Sequence, residues 1–262
     1  MSTAISHLNI EVTKKCNQRC FYCFNDSGKG QSSTELSLQQ WLDILRDLQQ
    51  KGLKSIHLTG GEPFAYKNAV ELLAGAQALG LSTSILSNGL HLKGLTSEFP
   101  DVFRKLAVAQ ISLDSTDEAT HNLRRGNSRA WHDAMSAIDA LRQLGVPLEI
   151  SCVVSESNLS DLGALAEFCQ TVNAGLIIRP IIAAGRAANQ KMTDSFAHDL
   201  ELCVQSLTSS QHVHLVADRF HYVVDEHQMR QPQWPSDLAT VHHDGRLRFN
   251  HADDINLTAV AA

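Results

Sequence analysis

The stretch Cys16-Asn-Gln-Arg-Cys20-Phe-Tyr-Cys23 places three thiols within eight residues, soon after a short run rich in Leu, Ile and Val at His7–Val12. That run predicts a strand buried in a parallel sheet, so the cysteines belong to the loop at its carboxyl end. Thiols this close together can converge on one metal centre. Three thiolates leave a coordination position open, which favours a centre that reacts or binds a ligand. A structural zinc site with a fourth ligand from elsewhere remains the alternative.

Five further runs of the same kind follow along the chain, and amphipathic segments lie between them. The predicted strands are Ser55–Thr59, Ser82–Ser87, Val108–Asp114, Leu148–Val154 and Leu176–Ile181. The predicted helices are one that begins at a Ser37–Gln40 capping box, then Ala69–Leu79, Ser128–Leu144, Asp161–Val172 and Asp194–Leu207. Six strands alternating with helices predict an α/β fold, a partial (βα)6 TIM-like barrel with a short C-terminal extension.

The alternation weakens after about residue 190. We therefore predict a core barrel over residues 1–190 and a C-terminal cap or extension over residues 191–262. The extension contains an expected hairpin, Leu238–His243 with Arg246–Asn250, around Asp244–Gly245. Six histidines of this segment are possible metal ligands, but their scattered spacing favours solvated or hydrogen-bonded side chains: His212, His214, His221, His242, His243 and His251.

Composition excludes several classes of partner. The formal net charge of the 262 residues is −6 without a basic stripe, which argues against nucleic acid. The N-terminus has no signal-peptide pattern, and Gly, Ser and Asn interrupt the longest uncharged run, Leu72 to Leu92, so no membrane is expected. We expect a cytoplasmic protein with reduced thiols. The other three of its six cysteines, Cys152, Cys169 and Cys203, fall on predicted strands or helices as core residues.

A second motif, Thr59-Gly60-Gly61-Glu62-Pro63, follows the second predicted strand. Its glycines let a ligand approach the backbone closely. Together the two motifs resemble the radical S-adenosylmethionine (radical SAM) enzymes. Tyr22, the aromatic that this family favours before the third cysteine, is by this resemblance a candidate for cofactor binding. The resemblance implies that the three cysteines bind three irons of a [4Fe–4S] cluster and that SAM chelates the fourth. It also implies that Gly60, Gly61, Glu62 and Pro63 contact the SAM amino group.

Three later elements are similar to motifs of the same family. They are Ser87-Asn88-Gly89, Ser112-Leu113-Asp114 and His121-x3-Arg125-Gly126. On residue type alone, Ser112 and Asp114 are an ordinary strand end and Arg125 is a solvated charge. The resemblance makes Asn88, Ser112, Asp114 and Arg125 candidates for contacts with the ribose, adenine or carboxylate of SAM.

Two further segments resemble the subgroup that carries a C-terminal SPASM or twitch extension. These are Val153-Val154 with Asn158-Leu159, and Gly185-Arg186-Ala187. Such extensions bind additional iron–sulfur clusters through several cysteines, whereas this chain has no cysteine after Cys203. We therefore expect one cluster only.

The resemblance also implies a chemistry. A 5′-deoxyadenosyl radical released from SAM would abstract hydrogen from a substrate C–H bond, with electrons from a donor such as flavodoxin or ferredoxin. The SPASM-like features favour modification of a peptide or protein, and the C-terminal segment is the expected lid. A small-molecule enzyme, such as a sugar or aminocyclitol dehydrogenase or epimerase, is the first alternative. A non-catalytic zinc or Fe–S module is the second.

Overall fold

A computed structural model describes residues 5–28, 30, 34–190 and 193–208, and beyond these only five short strands. Six strands pair in parallel and in chain order within one sheet, as βα units require. They are β1 His7–Glu11, β2 Ser55–Thr59, β3 Ser82–Ser87, β4 Leu106–Ser112, β5 Leu148–Val154 and β6 Ala174–Pro180. The predicted partial TIM-like barrel is confirmed, and each predicted strand is present within two residues of its expected bounds.

Eight α-helices lie in the described part of the chain. They are α1 Leu38–Gln50, α2 Ala69–Ala78, α3 Leu92–Glu98, α4 Pro100–Arg104, α5 Glu118–Arg125, α6 Ala130–Gln143, α7 Leu162–Val172 and α8 Asp194–Thr208. The capping box at the start of α1 is confirmed, because the Gln40 N–H donates to the Ser37 side chain and the Ser37 N–H donates to the Gln40 side chain. None of these helices is long and apolar enough to cross a membrane.

Helices α3, α4 and α5 were not predicted from the sequence. The first two have seven and five residues, too few to show a helical period. Helix α5 has regular ends, with an Asp117 N-cap and Gly126 in the left-handed region after its last residue. However, its buried face consists of His121, Arg124 and Arg125, so the usual apolar stripe is missing.

The helices bury their apolar faces against the strands in one continuous core. Side chains without exposed surface come from both layers: Trp41, Leu45, Leu72, Leu73, Ile138, Leu141 and Leu165 from helices, and Ile10, Leu58, Ile85, Ile111 and Ile150 from strands. Two cysteines outside the Cys16–Cys23 loop, Cys152 and Cys169, belong to this core, whereas Cys203 is half-buried on α8. Because β1 to β4 are parallel neighbours, their carboxyl ends meet at one edge of the sheet.

The C-terminal strands continue the same sheet. β9 (Leu238–Val241) pairs in parallel with β1, β10 (Arg246–Phe249) pairs antiparallel with β9, and β11 (Ile255–Asn256) pairs with β10. The expected antiparallel hairpin pairing is thus confirmed, while its turn at 242–245 lies outside the described residues. β7 (Val223–Asp225) and β8 (Gln228–Arg230) form a separate antiparallel pair. The six candidate histidines of this region also lie outside the described residues.

Candidate metal centre

The three motif cysteines lie on the loop that joins β1 to α1. Cys20 is buried, and Cys16 and Cys23 are half-buried. Because β1 to β4 are parallel neighbours, this loop shares one edge of the sheet with the residues that follow the next three strands. Those are the Gly60–Pro63 segment after β2, Asn88 after β3, and Asp114 after β4.

The end of α5 fixes one side of the cysteine loop. The Arg19 N–H donates to the Arg125 carbonyl oxygen at 2.9 Å, and the Asn127 amide donates to the Asn17 carbonyl oxygen at 3.1 Å. Gly126 lies so close that a Cβ on it would be 2.7 Å from the Arg19 carbonyl oxygen, at a φ of +57°. The H-x3-R-G segment therefore acts on the loop through its backbone as well as its side chains.

Arg186 fixes the other side of the loop. Its guanidinium donates to the carbonyl oxygens of Cys20 at 2.8 Å and Ser27 at 2.7 Å, and pairs with Asp26 at 2.8 Å. Its backbone N–H donates to the Cys23 carbonyl oxygen at 2.9 Å. Resemblance alone singled out the segment around Arg186, and no spacing in the sequence indicates that it contacts the cysteines.

The thiols are surrounded by amide groups. Cys16 Sγ accepts hydrogen bonds from the Gln18 backbone N–H at 3.4 Å and from the Asn88 side chain at 3.6 Å. The Cys20 thiol donates to Gln18 Oε1 at 3.8 Å. Burial raises the pKa of the Cys16 thiol to about 12 and also raises that of Cys20, so both are protonated without a metal. Metal binding here therefore releases protons.

The donor set of the loop fits an iron–sulfur cluster. Cys16, Cys20 and Cys23 are free thiols on one loop, and the protein ligands of such clusters are cysteine thiolates. Among the residues that the structure describes, no three His, Cys, Asp or Glu side chains surround one common metal position.

Glu62 joins the ends of β2 and β3 at this edge. It is completely buried, and its carboxylate accepts hydrogen bonds from the Phe64 N–H at 3.1 Å, the Ser87 hydroxyl at 2.8 Å and the Asn88 N–H at 2.8 Å. Burial raises the pKa of Glu62 to about 7, and these hydrogen bonds oppose the rise. Glu62 thereby fixes the backbone of Asn88, whose side chain reaches Cys16.

The two glycines before Glu62 lie directly on the start of the cysteine loop. The Gly61 N–H donates to the Thr13 carbonyl oxygen at 2.7 Å, and Gly60 has a φ of +136°. A Cβ on Gly61 would lie 2.4 Å from the carbonyl oxygen of Lys15, the residue before Cys16. Only glycine leaves room for this approach.

We expect Gly61→Ala to displace the cysteine loop. Overpacking of this kind costs about 1–3 kcal/mol of folding free energy. Urea unfolding should show that loss, and chemical reconstitution should show lower iron uptake. Gly94→Ala is the matched control, because its Cβ would meet no atom within 4 Å and alanine is favoured in a helix. Wild-type stability and wild-type iron uptake in Gly61→Ala would contradict the close approach.

Asp114 is the centre of a buried charge network beneath the loop. It has no exposed surface, and one carboxylate oxygen accepts from Arg125 at 2.8 Å and from the Val153 N–H at 3.0 Å. The Tyr22 hydroxyl donates to the other oxygen, and Arg124 lies 3.7 Å from it. Burial alone would raise the pKa of Asp114, but the charges of Arg125 and Arg124 outweigh it and hold that pKa below its usual value.

Both arginines also lie over aromatic residues of the cysteine loop. The guanidinium carbon of Arg124 is 5.2 Å from the centre of the Tyr22 ring and 5.3 Å from that of Phe21, and Arg125 is 5.5 Å from Tyr22. Sequence analysis did not identify Arg124, because adjacent arginines on a short polar helix ordinarily indicate a solvated face. Ser112, the last residue of β4, lies at the same edge of the sheet.

Comparison with known proteins agrees with this arrangement. The sequence profile described as the radical SAM superfamily matches residues 10–169. The chain belongs to the radical SAM superfamily. Enzymes of this superfamily use a [4Fe–4S] cluster and SAM, which are the cofactors that the resemblance of the two motifs implied.

Individual relatives match part or most of the chain. The sporulation killing factor maturation protein SkfB of Bacillus subtilis (strain 168) is 32% identical over 169 residues, which are 64% of this chain and 40% of SkfB. SuiB of Streptococcus suis, solved with S-adenosylmethionine, has a TM-score of 0.76 at 16% identity, over 97% of this chain and 63% of SuiB. SuiB bound to its precursor peptide SuiA has a TM-score of 0.75 at 16% identity, over 97% of this chain and 62% of SuiB. This chain thus spans less than two thirds of these relatives' lengths.

Proposed function

We propose that this chain is a radical SAM enzyme that modifies a peptide or protein. The observation that carries the proposal is the convergence of the Cys16–Cys23 loop, the Gly60–Pro63 segment and Asn88 at one edge of the barrel sheet. When bound, the cluster and SAM together supply a 5′-deoxyadenosyl radical, which abstracts hydrogen from a C–H bond. The protein's part is to bind, orient and shield the reacting groups.

The residues at this edge of the sheet have three proposed roles. Cys16, Cys20 and Cys23 are the proposed cluster ligands. Gly60, Gly61, Glu62 and Pro63 are proposed to form the backbone cradle for the SAM amino group, because they follow β2 at the same edge of the sheet and pack directly on the cysteine loop. Asn88 and Ser112, at the same edge, are the proposed contacts to the rest of SAM.

The buried network has a supporting role in this proposal. Tyr22, Asp114 and Arg125 were expected to contact SAM. In the structure, Tyr22 and Arg125 hydrogen-bond to the Asp114 carboxylate, and each of the three residues is nearly or completely buried. We therefore assign them to the support of the cysteine loop, with Arg124 and Arg186 as further supports.

The peptide class of substrate rests on the relatives. SkfB is described as the maturation protein of a sporulation killing factor, and SuiB has been solved with a precursor peptide. The fold that this chain shares with SuiB over 97% of its length supports the proposal of a peptide substrate at the same edge of the sheet. Residues 1–190 would form the catalytic core, with 191–262 as a cap. A reducing, cytoplasmic location and a flavodoxin or ferredoxin as electron donor complete the proposal.

The substrate class is tested with deuterium-labelled candidates. The reconstituted protein is given SAM, a reductant and either peptides or sugars deuterated at carbon, and mass spectrometry follows 5′-deoxyadenosine. Deuterium in 5′-deoxyadenosine from a peptide, with a mass change in that peptide, is the expected result. Transfer from sugars alone would instead assign the small-molecule reaction.

A further inference from the structure

Gln18 has a buried side-chain amide whose nitrogen lacks a hydrogen-bond partner in the described structure. It lies between Cys16 and Cys20 and is 2% exposed. Its Oε1 accepts from the Cys20 thiol, while its Nε2 is buried without a hydrogen-bond partner in the described structure. A buried donor without an acceptor is costly to the fold. Such a group in a native fold calls for an explanation, such as a redox role.

Loss of the Cys20 proton changes what this amide can do. A cysteine that binds a metal is a thiolate and cannot donate a hydrogen bond. Oε1 and the sulfur would then face each other as two acceptors. A half-turn of the terminal amide exchanges its oxygen and nitrogen at almost the same positions, so it needs no repacking. After this rotation an amide N–H points at the sulfur, and the amide oxygen lies where the nitrogen had no partner. A buried carbonyl oxygen without a partner costs less free energy than a buried N–H without one.

We infer that the Gln18 side chain donates an N–H···S hydrogen bond to the Cys20 thiolate and thereby sets the reduction potential of the bound cluster. This inference rests on the proposed cluster. Hydrogen bonds to the sulfurs are among the factors that set such potentials, and they favour the more negative, reduced state. The Gln18 backbone N–H already donates to Cys16, so this one residue acts on two ligands. Gln18 is thus a positioning and tuning residue that does not touch the substrate.

The effect of Gln18 on Cys20 can be measured separately from that of the charged residues nearby. Arg125 and Asp114 are the charged residues that act on Cys20, and neither is hydrogen-bonded to the Gln18 side chain. A change confined to Gln18 therefore leaves that electrostatic background in place. Gln18→Met keeps the length of the side chain without its N–H, and Gln18→Glu keeps its shape but replaces the donor with a carboxylate. Gln50→Met, at an exposed position of α1, is the matched control.

The test is a redox titration of the full-length, reconstituted protein without SAM, monitored by electron paramagnetic resonance. We expect the midpoint potential to become more negative in Gln18→Met and more negative still in Gln18→Glu, with Gln50→Met unchanged. Resonance Raman spectra should show a shift of the Fe–S stretching bands in deuterated buffer that shrinks in Gln18→Met. Iron content and melting temperature are measured on every variant.

Each outcome decides the matter. A Gln18→Met protein with a full cluster at the wild-type potential would overturn the inference. Cluster loss from both Gln18 variants would also overturn it, because the side chain would then be needed for the shape of the loop. If only Gln18→Met loses the cluster, the midpoint potential of Gln18→Glu is the test. A potential more negative than that of the wild type would support the inference, and the wild-type potential would overturn it. A wild-type chain that assembles no cluster would instead refute the proposed function, and this inference with it.

Discussion

Cys16→Ala is expected to lose cluster binding and SAM cleavage together. The proposed cluster has three protein ligands, and removal of one leaves two irons without a cysteine. Iron content after reconstitution should fall from about four atoms per chain towards zero. Production of 5′-deoxyadenosine under reducing conditions should fall to the level of the protein-free reaction. Metal analysis and mass spectrometry measure the two effects on the same sample.

Cys203→Ser is the control for general damage by cysteine replacement. Cys203 is half-buried on α8 and packs against the main hydrophobic core, whereas Cys20 and Cys23 belong to a separate hydrophobic cluster. The Cys203→Ser variant should retain the iron content and the SAM cleavage of the wild type. Full SAM cleavage by Cys16→Ala would show that this ligand assignment is wrong.

Asp114→Asn is expected to cause the largest loss of folding stability. The carboxylate is the buried anion that pairs with both Arg125 and Arg124, whose side chains are 7% and 3% exposed. Removing one partner of a buried ion pair costs about 3–5 kcal/mol, because the remaining charge stays buried without compensation. Urea unfolding should show this decrease. Cluster retention should fall as well, because the same network supports Tyr22.

Asp101→Asn is the matched control for Asp114→Asn. Asp101 also pairs with an arginine, Arg104, at 3.0 Å, but its side chain is 86% exposed. An exposed pair contributes about 0–1 kcal/mol, so this variant should unfold close to the wild type. An Asp114→Asn protein that matched Asp101→Asn in stability would contradict the role of the network.

The same network predicts an acid limit for the fold. The pKa of Asp114 is lower in the folded chain than its usual value, so the folded state binds fewer protons at this site than the unfolded state. Its stabilising contribution is therefore complete above about pH 4 and is lost as the pH falls below that value. A urea series at decreasing pH should show a steeper loss for the wild type than for Asp114→Asn.

The sequence predicted the barrel because each strand is a short apolar run between polar or glycine residues. Buried parallel strands show this pattern locally, and the helices between them show a helical period. Helix α5 was not predicted because the face that it buries carries His121, Arg124 and Arg125 and has no apolar stripe. Those arginines are stabilised by Asp114, which follows β4, and by Val153 and Ser155 at the end of β5, and such partners have no local signal in the sequence.

The candidate site was predictable only in part for a similar reason. Cys16, Cys20 and Cys23 are close in the sequence, so their spacing alone indicated a metal centre. The role of Arg186 depends on contacts that span about 160 residues, which periodicity and spacing do not reveal. Gln18 lies inside the motif, but the meaning of its side chain emerged only from its burial and its unpartnered nitrogen.

The central claim is that the loop holds a cluster that binds SAM. The most direct measurement is the electron paramagnetic resonance spectrum of the reduced, reconstituted protein, recorded with and without SAM. The claim predicts a [4Fe–4S] signal whose g-values change when SAM is added, and no such signal when all three motif cysteines are alanine. One zinc ion per chain with no iron signal, or an iron signal that SAM leaves unchanged, would contradict it.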